Sequence, residues 1–102
     1  MADKKIYSLF DKTINAFLNP LVFTNDGEAV RWFTTIVNQQ SKDNSVYLHY
    51  SDYSLHILGT LDDKSGDVNG PSRKIIEGTA VKEETVQYTL DDLFSKLEQR
   101  NN

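Results

Sequence analysis

The chain has 102 residues, of which 38% are apolar and 25% charged, and it contains five Tyr, five Phe and one Trp. This composition is typical of one compact domain and is too aromatic for a disordered chain. Because no cysteine is present, disulfides, thiolate metal sites and cysteine nucleophiles are excluded, and the net charge of −4 opposes binding to a phosphate backbone.

The N-terminal apolar run is interrupted by Ser8, Asp11 and Lys12, so it is too short for the core of a signal peptide. No apolar run approaches the roughly 18 residues that a membrane span requires. We therefore expect a cytoplasmic protein without a membrane partner, folded as one domain over residues 1–102.

The first elements are two predicted strands. Residues 4–11, KKIYSLFD, have β-forming character, and residues 20–24, PLVFT, form a second run after the Asn19-Pro20 turn signal. The two strands can pair as a hairpin through residues 12–19.

The most regular pattern begins at Asn25, a favourable N-cap with Glu28 three residues later as in a capping box. Apolar residues then recur on one helix face, at Ala29, Val30, Phe33, Ile36 and Val37. The pattern predicts an amphipathic helix that ends near Asn38. Trp32 lies beside the apolar stripe, where it either covers the edge of a core or contacts a partner.

A polar loop is predicted over residues 39–45, and the alternation in DYSLHILGTLDD then indicates a strand. It places Leu55, Ile57 and Leu61 on one face and His56, Leu58 and Thr60 on the other. Asp, Ser and Gly in DDKSGDV predict a tight turn. A return strand begins at Val68, is interrupted at residues 69–71 and resumes in RKII, at an edge that tolerates Pro71.

Residues 89–102 carry the pattern of a helix of about three turns, with Thr89 as N-cap. Its apolar stripe consists of Leu90, Leu93, Phe94 and Leu97. The stripe must pack on its own sheet or on a second copy of the chain. Together with Trp32, it is therefore a candidate partner interface. The order β-β-α-β-β-α predicts an α+β fold. We expect a small antiparallel sheet of about four strands against a central helix, with residues 1–88 as the core and a C-terminal helix beyond it.

The stretch YLHYSDYSLHILG holds three tyrosines and both histidines. Two interpretations of Tyr47, Tyr50 and Tyr53 are open. The three rings either form a stacking platform for bases, or they are buried against the helix while their hydroxyl groups stay in contact with water. His49 and His56 lie seven residues apart, which matches no metal-ligand spacing, so no metal site is expected.

Paired basic residues occur at Lys4-Lys5 and Arg73-Lys74. If the first strand and the RKII strand lie side by side, these four charges form one patch that Arg31 extends; the alternative is scattered solvated charge. No nucleophile elbow, phosphate-binding glycine loop, dinucleotide fingerprint or catalytic carboxylate pair is present. We therefore expect no enzyme activity, no cofactor and no small-molecule substrate.

Three ordered segments resemble the small non-structural protein of gokushoviruses, the Microviridae-type single-stranded DNA phages. After the IYSLFD strand, a P-x-x-x-x-N-x-x-x-A-x-R-x-F pattern reads Pro20, Asn25, Ala29, Arg31 and Phe33. A DYxLxxLGxFD…G pattern then reads Asp52, Tyr53, Leu55, Leu58, Gly59, Asp62 and Gly66, with Leu61 where the family often has Phe. The resemblance covers roughly residues 5–80 and not the C-terminal helix.

The resemblance implies a protein of the host cytoplasm that is absent from the virion and acts in phage DNA replication. The analogy is with the protein that turns related phages from duplex replication to single-strand synthesis. It supplies no catalytic residues. Two hypotheses stay open: the basic residues and tyrosines contact single-stranded DNA, or the chain acts without DNA affinity, through phage or host replication proteins or as a homodimer.

Overall fold

The computed structural model describes residues 4–83, which form an antiparallel sheet of six strands with helices. The strands are β1 (Lys4–Asp11), β2 (Ala16–Phe17), β3 (Leu21–Phe23), β4 (Tyr53–Leu61), β5 (Val68–Asn69) and β6 (Arg73–Glu77). The helices are α1 (Asp26–Asn38), α2 (Ser45–Leu48) and α3 (Gly78–Val81), with a 3-10 turn at Tyr50–Asp52. The predicted α+β class is confirmed, and the predicted helix over residues 89–102 lies outside the described residues.

Two long strands, β1 and β4, form the centre of the sheet. On one side β1 pairs with both β2 and β3, and on the other side β4 pairs with both β5 and β6. The sheet has more strands than predicted because each outer strand is split. Leu18 to Pro20 separate β2 from β3, and Gly70 to Ser72 separate β5 from β6.

The first hairpin is tighter than the predicted connection over residues 12–19. Asn15 adopts a positive φ of 55°, a conformation that asparagine tolerates better than most residues, and the Asp11 carboxylate accepts a hydrogen bond from the Thr13 amide. The chain therefore reverses within four residues and pairs Phe10 with Phe17.

Helix α1 begins and ends where its sequence predicts. The Asn25 side chain accepts a hydrogen bond from the Glu28 amide at 2.9 Å, which caps the first turn. Ala29, Phe33 and Val37 are fully buried along one stripe. They pack against the sheet in a core that also contains Tyr7, Leu9, Val46, Tyr53 and Leu55.

A β-bulge in β4 changes the faces that alternation predicts. Tyr7 pairs with Ile57 but Ile6 pairs with Gly59, so Leu58 is an extra residue on β4. Leu61 consequently lies on the opposite face from Leu55 and Ile57, and the prediction that the three share a face is wrong. Thr60, predicted opposite them, lies on their face for the same reason.

Two short helices replace segments predicted as loop or strand. Asn44 caps α2 through hydrogen bonds from the Val46 and Tyr47 amides, at 3.1 and 3.2 Å. Strand β6 is followed directly by α3, which begins at Gly78, a buried residue. Both helices lie at the edge of the sheet where β1 ends and β4 begins, so they close one end of the core.

Candidate nucleic-acid interface

The sheet has one covered and one uncovered face. Tyr7, Leu9 and Leu55 point toward α1, while the alternate residues point away from it. No helix that the structure describes over residues 4–83 packs on this second surface. We call it the open face, and the strand register assigns to it Lys4, Ile6, Ser8, Phe10, Phe17, Val22, Ser54, His56, Leu61, Val68, Lys74 and Glu77.

Three aromatic rings form a cluster on the open face. The ring centroids of Phe10 and Phe17 are 4.9 Å apart, and the His56 ring lies 5.1 Å from Phe17 and 5.8 Å from Phe10. Phe17 meets both neighbours edge to face, an arrangement that aromatic pairs favour. Phe17 keeps 44% of its surface exposed, so the cluster presents an aromatic surface to solvent.

Buried serines hold this cluster in place. The Ser54 hydroxyl and His56 Nε2 are 2.8 Å apart, which fixes the orientation of the imidazole. The Ser8 hydroxyl donates to the carbonyl oxygen of Leu18 at 2.7 Å and so anchors the segment that follows Phe17. Burial, and next the charge of Lys74, lower the pKa of His56 below its ordinary value of 6.5, so the ring is neutral at pH 7.

Lysines border the aromatic cluster. Lys12 Nζ lies 2.6 Å and Lys74 Nζ 2.8 Å from the two carboxylate oxygens of Glu77. Both lysine side chains remain about half exposed, at 45% and 54%. Beside the aromatic cluster, Lys74 on the open face and Lys12 at its border stand against Glu77, so the local charge there is positive. Lys4, at the far end of β1, shares a cleft with Glu28 and Asp63.

Of the two interpretations of the basic pairs, the single patch is wrong, because β1 and the RKII strand are not neighbours. Both pair with β4, one on each side. Lys5 and Arg73 lie on the face that α1 covers, and Lys4 and Lys74 lie on the open face. Arg31 lies apart from both pairs, exposed on α1. The five residues therefore do not form one surface.

On the covered face, Arg73 takes part in a structural contact. Asp26 Oδ1 accepts a hydrogen bond from the Tyr7 hydroxyl at 2.6 Å, and Asp26 Oδ2 lies 3.0 Å from the Arg73 guanidinium. These contacts tie the first turn of α1 to β1 and β6. The Tyr7 hydrogen bond, together with Arg73, holds the pKa of Asp26 below its ordinary value of 3.8.

Tyr47, Tyr50 and Tyr53, for which stacking on bases and burial against the helix were the two interpretations, do not form a stacking platform. Tyr53 is 6% exposed within the core, and its hydroxyl donates to the Ser45 hydroxyl. Tyr47 and Tyr50 are half-buried, and Lys82 Nζ lies 4.1 Å and 5.1 Å from their ring centroids. Stacking on Tyr53 is therefore excluded by its burial, and the other two rings already contact a lysine away from the open face.

The remaining candidates divide between core and undescribed residues. Trp32 is half-buried at the edge of the core, with its ring centroid 5.7 Å from that of Phe23. The stripe of Leu90, Leu93, Phe94 and Leu97 lies outside the described residues. His49 is exposed at the end of α2 and does not belong to the His56 cluster. Within residues 4–83 no group of three His, Asp or Glu side chains could hold a metal ion.

Sequence reasoning missed Phe10 and Phe17 as site residues. The sequence places Phe10 in the first strand, with no face specified, and Phe17 in the connection over residues 12–19. One signal could have found Phe10: it alternates with Tyr7 and Leu9 along β1, so it cannot share their buried face. The sequence around Phe17 has no comparable signal, because β2 has only two residues and is too short to show an alternation of buried and exposed positions.

The net charge of −4 is unevenly distributed. Residues 4–83 hold nine Lys and Arg against ten Asp and Glu, a net charge of −1. Residues 84–102 hold four acidic and two basic residues, and Asp3 supplies the remaining negative charge. The acidic field that opposes DNA therefore comes mainly from outside the sheet domain.

The resembling segments have structural roles in this fold. Tyr53 and Leu55 belong to the core, Leu58 is the bulge, and Asp62 Oδ1 accepts hydrogen bonds from the Lys64 and Ser65 amides in the turn. Gly66 has a φ of 81°, which favours glycine. A side chain at Gly59 would lie 2.7 Å from the Asn69 carbonyl oxygen, so glycine lets β5 approach β4.

Comparison with known proteins places the chain among bacteriophage proteins. It belongs to the family described as Phage ORF5 protein, whose model matches residues 4–81. The phage part of the predicted resemblance is thereby confirmed, and the matched range includes every described element. No curated protein and no solved structure matches the chain. No helix in the described part of the chain is long and apolar enough to cross a membrane.

Acid is expected to destabilise the domain through two carboxylates. Hydrogen bonds from Tyr7 to Asp26 and from Lys12 to Glu77 lower the pKa of each below its ordinary value, 3.8 and 4.5 respectively. A lowered folded-state pKa gives stability that is present above the unfolded value and lost as the pH falls through the folded value. The free energy of unfolding should therefore fall steadily below about pH 4.

Urea denaturation between pH 2 and pH 7 measures this effect. Asp26→Asn should be less stable than the parent at pH 7 and should lose less stability on acidification. Asp43→Asn, in an exposed loop, is the control and should follow the parent. An identical acid decline in Asp26→Asn and the parent would show that Asp26 makes no such contribution.

Proposed function

We propose that the chain is the small non-structural protein of a gokushovirus, a Microviridae phage, and that it assists single-stranded DNA genome replication without enzyme activity. Family membership supports the phage origin, and the sequence resemblance supports the narrower group. In this proposal the protein works in the host cytoplasm and contacts single-stranded DNA through the open face.

The observation that carries the proposal is the aromatic cluster on an uncovered sheet surface. Proteins that bind single strands without sequence preference stack bases on aromatic rings and follow the backbone with positive charges. Phe17 offers the most exposed ring, with Phe10 and His56 beside it. Lys12 and Lys74, which both pair with Glu77 on the β6 side of the cluster, can contact the phosphate backbone of a strand that stacks a base on Phe17.

Duplex DNA fits this surface less well. Its bases are stacked on one another, so the rings of Phe10 and Phe17 have no free base face to contact. The positive charge of the open face is also modest, because the Glu77 carboxylate forms ion pairs with both Lys12 and Lys74. We therefore expect weak binding that prefers single strands and depends on salt.

Fluorescence anisotropy of a labelled oligodeoxythymidine, titrated at about 50 mM and about 200 mM salt, tests the proposal with two matched variants. Lys74→Gln and Arg73→Gln each remove one charge from neighbouring positions of β6 that face opposite ways. Lys74→Gln should weaken binding and reduce the salt slope by about 0.7, the value for one phosphate contact to a single strand. Arg73→Gln should leave the slope unchanged.

A second function has its own observation. Val22 and Val68 on the open face are 54% and 57% exposed, and Ile6 and Leu61 lie between them, so this end of the face offers an apolar strip that a partner protein could cover. If the parent protein binds no oligonucleotide even at the lower salt, DNA contact is refuted. The open face then belongs to a protein-interaction or homodimerisation module that acts through replication proteins.

A further inference from the structure

We propose that β3 pairs with β3 of a second copy of the chain, antiparallel and around a two-fold axis, so that two sheets join edge to edge. The surface involved is the uncharged edge, which we define as residues 13–25 and which includes β3. The pairing rests on the sheet edge alone and does not depend on the proposed DNA contact.

The two outer edges of the sheet differ in charge. Within residues 4–83, β6 forms part of one edge, and of its five residues Arg73, Lys74 and Glu77 are charged. Strand β3 lies at the opposite edge, and no residue of the uncharged edge carries a charge. Charged side chains on an edge strand protect it against pairing with another chain. This protection is present on β6 and absent on β3.

Exposed apolar side chains are concentrated on the uncharged edge. Seven large apolar side chains of the described residues are exposed, and five of them lie within residues 14–22. Val22 is 54% and Leu21 37% exposed, and Ile14, Phe17 and Leu18 accompany them. A concentration of apolar surface at one place on a domain is typical of a contact with another protein.

A second copy is the partner that an uncharged strand fits. In a contact around a two-fold axis the same patch of both copies faces itself, and like charges opposite each other destabilise a strand pair. Because β3 has no charge, two chains of net charge −4 can meet there without such a pair. Lys4, Glu28 and Asp63 line the cleft beside Val22, but they lie outside β3 and include both signs.

The backbone of β3 has hydrogen-bonding groups that point away from the sheet. The Leu18 amide donates to the Leu9 carbonyl oxygen at 2.8 Å, so the backbone groups of Leu9 point toward β2 and β3. Backbone groups alternate sides along a strand, so those of Ile6, three residues earlier, point toward β4. Val22 pairs with Ile6 and therefore directs its own amide and carbonyl to the outer edge.

A two-fold axis beside Val22 uses these groups. The amide of each Val22 then donates to the Val22 carbonyl oxygen of the other copy, and Leu21 lies opposite Phe23 of the other copy. Pro20 has no amide proton, so the paired region ends there. Because β3 has three residues, the interface belongs to the small class, below about 1,200 Å², and the dimer should be weak.

Sedimentation velocity of the full-length protein without DNA, at about 1 to about 500 µM, tests the pairing with two matched variants. The mean mass of the parent should rise from that of the monomer toward that of the dimer. Val22→Lys places like charges opposite each other and should keep the protein monomeric over the whole range. Val68→Lys changes a similarly exposed valine on β5, across the sheet from β3, and should associate like the parent.

Every other pattern contradicts the edge pairing. A parent that stays monomeric at the highest concentration would overturn it, and so would association that persists in Val22→Lys. Equal loss of association in both variants would also overturn it, because Val22 and Val68 share the open face and the contact would then lie on that face.

Disulfide formation is a second measurement, which does not depend on how well Val22→Lys folds. The chain has no cysteine, and residues paired across the axis have Cα atoms about 5.5 Å apart, within reach of a disulfide. At equal concentration, Val22→Cys should form a covalent dimer under air oxidation at least about tenfold faster than Val68→Cys, because pairing raises the effective concentration of the thiols. Equal rates would indicate random collision and refute the pairing.

Discussion

Gly78→Ala is expected to lower the free energy of unfolding by about 3 kcal/mol, because overpacking at a rigid backbone contact forces the chain to move. Gly78 begins α3 directly after β6. A Cβ atom there would overlap the carbonyl oxygen of Tyr50 and would lie 3.0 Å from that of Tyr53. Both obstacles are backbone atoms, so no rotamer change can relieve the overlap.

Urea or thermal denaturation checks this effect. A loss of about 3 kcal/mol corresponds to a fall in melting temperature of roughly 12–24 °C for a domain of this size. Thr79→Ala is the matched control, since it changes the next residue of α3 at an exposed position, and it should stay within about 0.5 kcal/mol of the parent. Equal stability of the two variants would contradict the close approach of Gly78 to the backbone of Tyr50 in the 3-10 turn.

Phe17→Ala is expected to weaken binding of single-stranded DNA about tenfold, because stacking of a base on an aromatic side chain contributes roughly 1–3 kcal/mol. Phe17 is the most exposed ring of the open-face cluster, so it has the most surface for a base. Its removal leaves Phe10 and His56 in place. The domain should still fold, because β2 is a two-residue strand at the edge of the sheet.

Leu21→Ala is the matched control for Phe17→Ala. Leu21 is 37% exposed on an edge strand, similar to Phe17, but it pairs with Tyr7 and so belongs to the covered face. Anisotropy titrations of both variants and the parent should show the loss for Phe17→Ala alone. A similar loss in both would indicate that edge stability, and not stacking, controls binding.

Elements that local interactions determine were predicted well. Strand β1 has the predicted bounds, and α1 begins after the Asn25 cap and ends at Asn38. Each depends on signals within a few residues, the capping side chain and the apolar period. The prediction of β4 was right for the strand and for the faces of Leu55, His56 and Ile57. It was wrong for Thr60 and Leu61, because the bulge at Leu58 depends on pairing with β1.

The candidate site was predictable only in part. Lys4 and Lys74 were predicted as contacts and lie on the open face, but Lys5 and Arg73 lie on the covered face. Neighbours in a strand necessarily face opposite ways, so a patch built from adjacent basic pairs could not lie on one surface.

The aromatic residues of the site were also predictable only in part. Stacking and burial were both open for the clustered tyrosines. Tyr53 is in the core, and the exposed cluster is formed by Phe10 and Phe17. Which ring is exposed depends on which face α1 covers. Which face α1 covers depends on the packing of elements that are distant in sequence, so no single stretch of sequence predicts the exposed ring.

The most direct test of the open face as a DNA surface is an amide chemical-shift map of the isotope-labelled full-length protein, titrated with unlabelled oligodeoxythymidine at low salt. Binding on the open face should shift the signals of Phe10, Phe17, His56 and Lys74, with little change at Asp26, Arg31 and Thr35. Shifts confined to α1 and its neighbours, or no shifts at oligonucleotide excess, would contradict it.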